Sequence, residues 1–448
     1  MRCHFISIGG SIMHSLAISM HQQGWRVTGS DDEIFEPAKS NLERYGLLPK
    51  QIGWQPDNIT SDIDIVVLGM HAKIDNPELQ KAQELNLKIV SFPEFIYEKT
   101  KKKKRVVIGG SHGKTTITSM VLHVLNELHI PADYLVGAKV AGLDNSVRLS
   151  NDAKILVVEG DEYLTSSIDR RPKFHLYHPD IALITGIAWD HCNVFPTYSN
   201  YVEQFSKFIE LTEAGGSCIY FNEDRDLQEI ATKAKNKIEY IPYETPDYSI
   251  ENGEFCIKHD GKEYKMKVIG RHNMQNIMGA MAVCSKLGIS NDSFLNAIST
   301  FSGAARRLEL VYKSDATTIY RDFAHAPSKV AATVAAVKEQ YPEKNVIAVF
   351  ELHTYSSLNI NFISQYRGSL KHADRKIIFF DPHALQIKNL PDLNGEEIKA
   401  AFNDNVEVCS EVSILKSLII NNTTNNDVIL LMSSGNFGGL KWEELAKQ

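Results

Sequence analysis

The octet Gly109-Gly110-Ser111-His112-Gly113-Lys114-Thr115-Thr116 restricts this chain more than any other segment. It follows an apolar, β-branched run at 106–109. It precedes Ile117, Met120, Val121, Val124, Leu125 and Leu128, which recur at helical spacing. A glycine-rich turn between a strand and a helix lets backbone N–H groups approach phosphate oxygens. In that setting Lys114 reaches the outer phosphates and the Thr115 hydroxyl is a Mg²⁺ ligand. The strict pattern G-x-x-x-x-G-K-[ST] needs glycine at 108, where Ile108 stands, so this is a shortened variant. Strand, phosphate turn and helix in that order imply a parallel α/β sheet.

The rest of the chain has the same grammar. Residues 4–9 predict a strand, Met13, Leu16, Ala17 and Met20 one helix face, and 26–30 a second strand, which together make a βαβ unit. Runs at 63–69 and 88–91 extend that sheet up to the basic run 101–105, which reads as a solvated linker. Further strands are expected at 155–158, 181–185 and 218–221. From 248 to 268 the pattern alternates and is broken by Asn252-Gly253 and Asp260-Gly261, the signature of a small antiparallel meander. Strands and helices alternate again over 318–322, 330–337, 346–350, 376–380 and 428–432. A chain of 448 residues exceeds one core. The expected fold is therefore α/β with three domains: a Rossmann-like domain at 1–100, a central P-loop ATPase domain with the meander at 101–307, and an α/β domain at 308–448.

Forty-eight Lys and Arg against 55 Asp and Glu leave a net charge of -7, with no basic excess to hold nucleic acid. Apolar stretches are strand-sized and no signal segment is evident, so the expectation is a cytoplasmic protein with no membrane partner. Cys3, Cys192, Cys218, Cys256, Cys284 and Cys409 form no C-x-x-C pair and read as reduced, buried thiols.

Two other places carry candidate chemistry. Ile8-Gly9-Gly10-Ser11 is a second phosphate-type turn that fails G-x-G-x-x-G, which argues against a nicotinamide or flavin dinucleotide. Asp31, at the end of the second strand, is placed to take sugar hydroxyls. Glu159 and His191 each end a strand-like run, where a carboxylate and an imidazole can hold a metal beside the phosphates; such residues are also commonly just solvated. The pair His175-x-x-His178 lacks a third ligand and reads as surface histidine, not as a zinc site.

Six motifs stand in one order: the 110–116 loop, Glu159-Gly160-Asp161-Glu162, Trp189-Asp190-His191, Gly270-Arg271-His272-Asn273-Met274-Gln275-Asn276, Phe301-Ser302-Gly303-Ala304-Ala305-Arg306-Arg307 and Asp322-Phe323-Ala324-His325. Over essentially the whole chain that order resembles the Mur ligase family, the ATP-dependent amide-forming enzymes of peptidoglycan synthesis. The resemblance implies a nucleotide-sugar domain, an ATPase domain and an amine-binding domain. It implies UDP-N-acetylmuramate and an amino acid or peptide as substrates, with ATP and Mg²⁺. By the same resemblance Gly110, Ser111, His112, Gly113 and Thr116 cradle the nucleotide, Lys114 holds its β and γ phosphates, and Thr115 takes one Mg²⁺. Glu159 and His191 take a second, His272, Asn273 and Asn276 hold the adenine side, and Arg307 the phosphates. Asp322 holds the ribose, with His325 also on the nucleotide. Lys114, Glu159, His191 and Arg307 are the implied catalytic set. Gly9, Gly10, Ser11 and Asp31 are assigned to the nucleotide sugar and His353 to the amine.

Gly29-Ser30-Asp31 looks like the branches that act on UDP-N-acetylmuramate itself, unlike the folate-polyglutamating relatives, which lack the N-terminal domain. Residues 158–163 and the stretch Met432-Ser433-Ser434-Gly435-Asn436-Phe437-Gly438-Gly439 look more like the branch that attaches a recycled peptide than the branch that adds free L-alanine. Three positions depart from the family pattern: Arg321 where an acid is usual, Ala326 where a second His is usual, and Thr354 where the alanine adders carry Arg. Arg321 and Ala326 keep open an inactive nucleotide-sugar binder. Lys207 is displaced from the place of the carbamylated lysine of other members, and that role is not carried over.

Overall fold

The computed structural model describes residues 1–137, 143, 145–189, 194–251, 253–314, 317–421 and 426–446. Its contacts fall into two compact units, with Met1–Trp189, Asn193–Glu244 and Gly279–Ala297 in the first, and Thr245–Met278 and Ile298–Gln448 in the second.

In the first unit β1 (Arg2–Ile6), β2 (Arg26–Ser30), β3 (Ile65–Leu68) and β4 (Ile89–Ser91) form a parallel sheet in the order β2-β1-β3-β4. A second sheet holds β5 (Lys104–Gly109), β6 (Ala132–Leu135), β7 (Val147–Arg148), β8 (Ile155–Glu159), β9 (Ile181–Ile184), β10 (Ser217–Phe221) and β11 (Glu239–Tyr243). Its order is β11-β10-β9-β5-β8-β6-β7, parallel except for β7. Val106, Val107, Ile108, Leu156, Val157 and Val158 are all fully buried, as strands covered on both faces must be. Each sheet brings the loops after its central strands to one edge, where parallel sheets bind ligands. Ser19 Oγ accepts from Leu149 N–H at 3.0 Å and Gln23 Nε2 donates to Leu149 O at 2.7 Å, which ties the helix Ser11–Gln22 to the chain just beyond β7.

Two expectations change here. The basic run is not a solvated linker: Lys103 pairs with buried Asp133 and donates to Ser150 O at 2.6 Å. Lys104 opens β5, and Arg105, only 4% exposed, meets Asp180 and Glu213. Charge at a strand start is absorbed by acids on neighbouring segments, which local composition does not reveal. The strand expected over 4–9 stops at Ile6, because Ser7, at φ 69°, and Ile8 both donate backbone N–H to Ser30 O and begin the glycine turn.

In the second unit β12 (Tyr248–Glu251), β13 (Glu254–His259) and β14 (Lys262–Met266) form the expected antiparallel meander. Tyr248 donates to Glu339 at 2.7 Å and Gln340 to Gly253 O at 2.6 Å, so the meander packs on the helix Pro327–Gln340 of the last α/β segment. The final sheet joins β15 (Glu309–Lys313), β16 (Thr317–Asp322), β17 (Asn345–Leu352), β18 (Arg375–Phe380), β19 (Glu407–Cys409) and β20 (Asp427–Met432), in the order β15-β16-β20-β17-β18-β19. Only β15 runs antiparallel. Residues 330–337 lie in the helix Pro327–Gln340. Cys3, Cys218, Cys256, Cys284 and Cys409 are buried free thiols, while Cys192 lies outside the described residues. No helix among the described residues is long and apolar enough to cross a membrane.

Candidate functional site

The glycine turn after β5 is built for close backbone approach. Gly110 has φ 120°, and a Cβ there would lie 2.1 Å from Thr185 Oγ1 and 2.8 Å from its amide nitrogen. Thr185 N–H donates to Gly109 O at 3.2 Å and Ser111 N–H to Gly186 O at 3.0 Å, which pins the turn against the end of β9. Ser111 Oγ accepts from Ala188 N–H at 2.8 Å and lies 2.9 Å from the Tyr201 hydroxyl. Gly113, at φ 69°, then starts the helix Lys114–Glu127, whose N-terminal amides and dipole favour an anion. Gly110→Ala should cost about 2 kcal/mol or more through strain and overlap. A melting temperature lower by roughly 5 °C is expected, and an unchanged melting curve would contradict the turn geometry.

The charged groups around this turn are paired. Lys114 Nζ donates to Gly110 O and to Glu162 Oε2, both at 2.6 Å, and Tyr201 donates to the other Glu162 oxygen at 3.1 Å. Burial pushes the Lys114 ammonium toward neutrality, but Glu162 and then Asp161 outweigh it and hold it above the ordinary lysine range. Lys114 is therefore a cation throughout the neutral range and loses its proton only as pH rises through that raised value. Burial also opposes ionisation of Asp161, yet Lys173 and Lys114 bring it down to about 2, so it is a carboxylate at any working pH. Thr115 donates to Glu159 Oε1 at 2.6 Å, and Gly137 N–H donates to Glu159 Oε2 at 2.7 Å.

A hydroxyl and a carboxylate oxygen beside a phosphate turn are the hard donors that Mg²⁺ takes, since this ion completes its shell with water and phosphate oxygens. Thr115 and Glu159 therefore fit a nucleotide-bound Mg²⁺. Among the described residues no group of three or more His, Cys, Asp or Glu side chains gathers as a metal site. His191 lies outside the described residues.

A cavity of about 280 Å³ in the first unit connects the two sheet edges. Gly10, Ser11, Ile12 and Met13 line it from the turn after β1 and the start of the helix Ser11–Gln22, Met70 and His71 from the loop after β3, Glu159 from the end of β8, and Asp161 and Lys173 from beyond it. Beside it Gly9 N–H donates to Asp31 Oδ2 at 2.7 Å, while burial and the neighbouring Asp32 raise the Asp31 carboxyl to about 6. The sequence brings Gly10, Ser11 and Glu159 to notice but gives no warning of Lys173 or His71 at the cavity, or of Tyr201 beside Ser111 and Glu162, because these places are set only by the fold. Asp161 and Glu162 belong to the Glu159 motif, yet nothing in their spacing shows that each pairs with a lysine.

The second unit holds the other candidates. His272 opens the helix Arg271–Lys286, and burial lowers it to about 4, so its imidazole is neutral near pH 7. Asn273 Nδ2 donates to Ile269 O at 2.9 Å, and Asn276 Nδ2 to Asn273 Oδ1 at 3.3 Å. Arg306 and Arg307 both lie over the Phe323 ring, and His325 Nδ1 is 2.8 Å from Phe323 O. Asp322 is turned inward: its oxygens accept from Leu308 N–H at 2.5 Å, Ala324 N–H at 2.6 Å and the Thr333 hydroxyl at 3.4 Å, so the carboxylate organises the turn before His325. Arg321 is paired across the β15–β16 ladder with Glu309 at 3.2 Å. Ala326 is the cap of the helix Pro327–Gln340 and gives it no side-chain bond.

His353 follows β17, 3.6 Å from buried Glu351, which also accepts from the Ser433 hydroxyl and, at 2.8 Å, from Phe437 N–H. Thr354 spends its hydroxyl on the next turn, donating to Ser357 Oγ at 2.9 Å and accepting from Ser357 N–H at 3.0 Å. Of the histidine pair set aside above, His175 is buried and not on the surface, with Nε2 2.8 Å from Gln204 O; burial takes it down to about 4. His178 sits against the Tyr97 ring.

Three family models match the chain: "Mur ligase family, catalytic domain" over 2–104, "Mur ligase middle domain" over 108–284, and "Mur ligase, glutamate ligase domain" over 306–435. The UDP-N-acetylmuramate–L-alanine ligase of Caldicellulosiruptor bescii is 32% identical over 91% of this chain and 90% of its own length. The UDP-N-acetylmuramate–L-alanyl-gamma-D-glutamyl-meso-2,6-diaminoheptandioate ligase of Haemophilus influenzae is 28% identical over 99% of this chain and 98% of its own. Among solved structures, UDP-N-acetylmuramate-alanine ligase from Thermotoga maritima superposes with a TM-score of 0.72 at 22% identity, covering 98% of this chain and 97% of that one.

Proposed function

Because the chain belongs to the Mur ligase family, and so is an ATP-dependent amide-forming ligase, we propose that it joins the carboxylate of UDP-N-acetylmuramate to the amine of the peptide L-alanyl-γ-D-glutamyl-meso-diaminopimelate, in recycling of cell-wall fragments. The ligase chemistry rests on one observation above all, the joining of Lys114, Thr115 and Glu159 at the turn after β5. A muramate carboxylate oxygen attacks the γ-phosphorus of ATP, the bond from that phosphorus to the β-γ bridging oxygen breaks, and ADP leaves with the electron pair. The amine then attacks the carbonyl carbon of the acyl phosphate, loses a proton, and inorganic phosphate departs. The charge that moves over the phosphoryl oxygens is what the enzyme must stabilise. In this reading Lys114 and the amides of 110–116 neutralise that charge. Thr115 and Glu159, with His191, would hold Mg²⁺, which supplies further positive charge there. His272, Asn273 and Asn276 take the adenine side, Arg307 the phosphates, and Gly9, Gly10, Ser11 and Asp31 the nucleotide sugar. Asp322 takes the ribose, with His325 also on the nucleotide.

The choice of amine rests on Thr354. A bidentate arginine at that position would contribute about 1.5 to 3 kcal/mol to binding a small amino acid's carboxylate, whereas Thr354 is occupied with its own turn. A longer peptide spreads recognition over more groups, which suits a site without that arginine. ADP release measured with UDP-N-acetylmuramate and a panel of amines tests the reading. The tripeptide should exceed L-alanine in kcat/KM by at least about tenfold, or about 1.4 kcal/mol in transition-state binding. A tenfold preference for L-alanine would overturn the peptide assignment and leave the ligase chemistry standing. No ADP release with any amine would favour a nucleotide-sugar binder instead.

A further inference from the structure

Lys173 has no part in the reaction as derived so far, yet it is placed where the acid substrate must pass. It opens the short helix Lys173–Leu176, is 9% exposed, and lines the cavity that runs from the turn after β1 to Glu159. Its ammonium donates to Asp161 Oδ2 at 2.5 Å and lies 5.6 Å from the centre of the Tyr163 ring and 6.0 Å from that of Phe92. Two carboxylates, Glu159 and Asp161, line the same cavity and would repel an acid. The oxygens of Glu159 already accept from Thr115 and Gly137, and Asp161 is the partner of Lys173 itself. Among the described lining residues, the basic side chains are Lys173 and His71. A largely buried ammonium binds a carboxylate more strongly than an exposed one, because it is less screened by water.

We propose that Lys173 receives the carboxylate of the nucleotide-sugar substrate and holds one of its oxygens, so that the other points toward the phosphate turn beyond Glu159. The inference rests on the ligase reading above and names the group that makes the site specific for an acid. Asp161 is then a positioning residue: it fixes the ammonium at the cavity wall and keeps the charge of Lys173 partly shared until a second carboxylate arrives. No bond to Lys173 is made or broken; its contribution is electrostatic.

The probes are UDP-N-acetylmuramate and UDP-N-acetylglucosamine, the same nucleotide sugar without the lactyl carboxylate. Titration calorimetry on the full chain gives the ratio of their dissociation constants, and steady-state ADP release gives KM for each substrate. In Lys173→Met the preference for the acid should fall at least about tenfold, the loss of one charge-assisted bond. Affinity for UDP-N-acetylglucosamine and KM for ATP should stay within about twofold, and Lys173→Arg should restore most of the preference. If removing the partner of Asp161 prevents folding, Lys173→Met combined with Asp161→Asn carries the same comparison. Equal weakening of both nucleotide sugars, or an unchanged ratio, would overturn the proposal, since a merely structural lysine does not distinguish a carboxylate from its absence. If the unaltered protein binds neither nucleotide sugar, the ligase reading itself falls, an outcome recognisable without any variant.

Discussion

Lys114→Ala is expected to lower ADP release by about a thousandfold or more while leaving a folded protein. Removal of one preorganised group at a developing oxyanion costs about 10²- to 10³-fold, and Lys114 is a full charge at the turn that cradles the transferring phosphoryl group. The substitution has a second consequence, visible in the pairing: Glu162 is fully buried and holds Lys114 at 2.6 Å. Deleting one partner of such a pair leaves an uncompensated carboxylate, at a cost of about 3 to 5 kcal/mol in stability. Lost activity alone would thus be ambiguous. Lys114→Met combined with Glu162→Gln removes both charges, and the Tyr201 hydroxyl retains an amide oxygen as partner. This double variant should recover most of the melting temperature and none of the turnover. Recovery of ADP release together with stability would show that Lys114 serves the fold and not the phosphates.

The parts of this molecule that obey a period are legible in its sequence. Val106-Val107-Ile108 and Leu156-Val157-Val158 are buried on both faces, which leaves them unbroken apolar runs, and the Asp260-Gly261 turn of the meander is declared by its own dipeptide. The turn after β5 is legible for a related reason: backbone approach to a phosphate leaves few residue choices, so the chemistry is written locally. What stays hidden is set by partners far along the chain. Lys103 and Arg105 read as solvent-facing charge until Asp133, Asp180 and Glu213 arrive beside them. Lys173 reads as one more basic residue after Arg170 and Arg171 until Asp161 and the cavity wall give it a direction. Asp322 shows the converse, in that a motif identifies it while the sequence does not disclose that its oxygens also accept from Leu308 and Ala324. Motif reading locates the turn and not the atom that meets the ligand.

The same limit shapes the expectation for Glu159 and His191. Glu159 is held from two sides, by the Thr115 hydroxyl and the Gly137 amide, and so presents a fixed carboxylate next to a hydroxyl in the first turn of the helix Lys114–Glu127. If Glu159 and His191 hold one Mg²⁺ between them, removing either ligand already forfeits the ion's help to the phosphoryl transfer. Glu159→Ala and His191→Ala should then each lose about a thousandfold in kcat. The double variant should lose no more than a few-fold beyond either, because residues that act as a unit are grossly non-additive. Two unrelated roles would instead multiply, and the double variant would fall about a millionfold, below any practical assay. The Mg²⁺ dependence separates the cases further. A weakened ion site raises the Mg²⁺ concentration needed for half-maximal turnover in both single variants, so activity should partly return at high Mg²⁺. Loss of a group that touches only substrate leaves that concentration where it was. Multiplicative losses with an unshifted Mg²⁺ requirement would sink the shared site, and Glu159 would then be read as a clamp on Thr115 with His191 acting elsewhere.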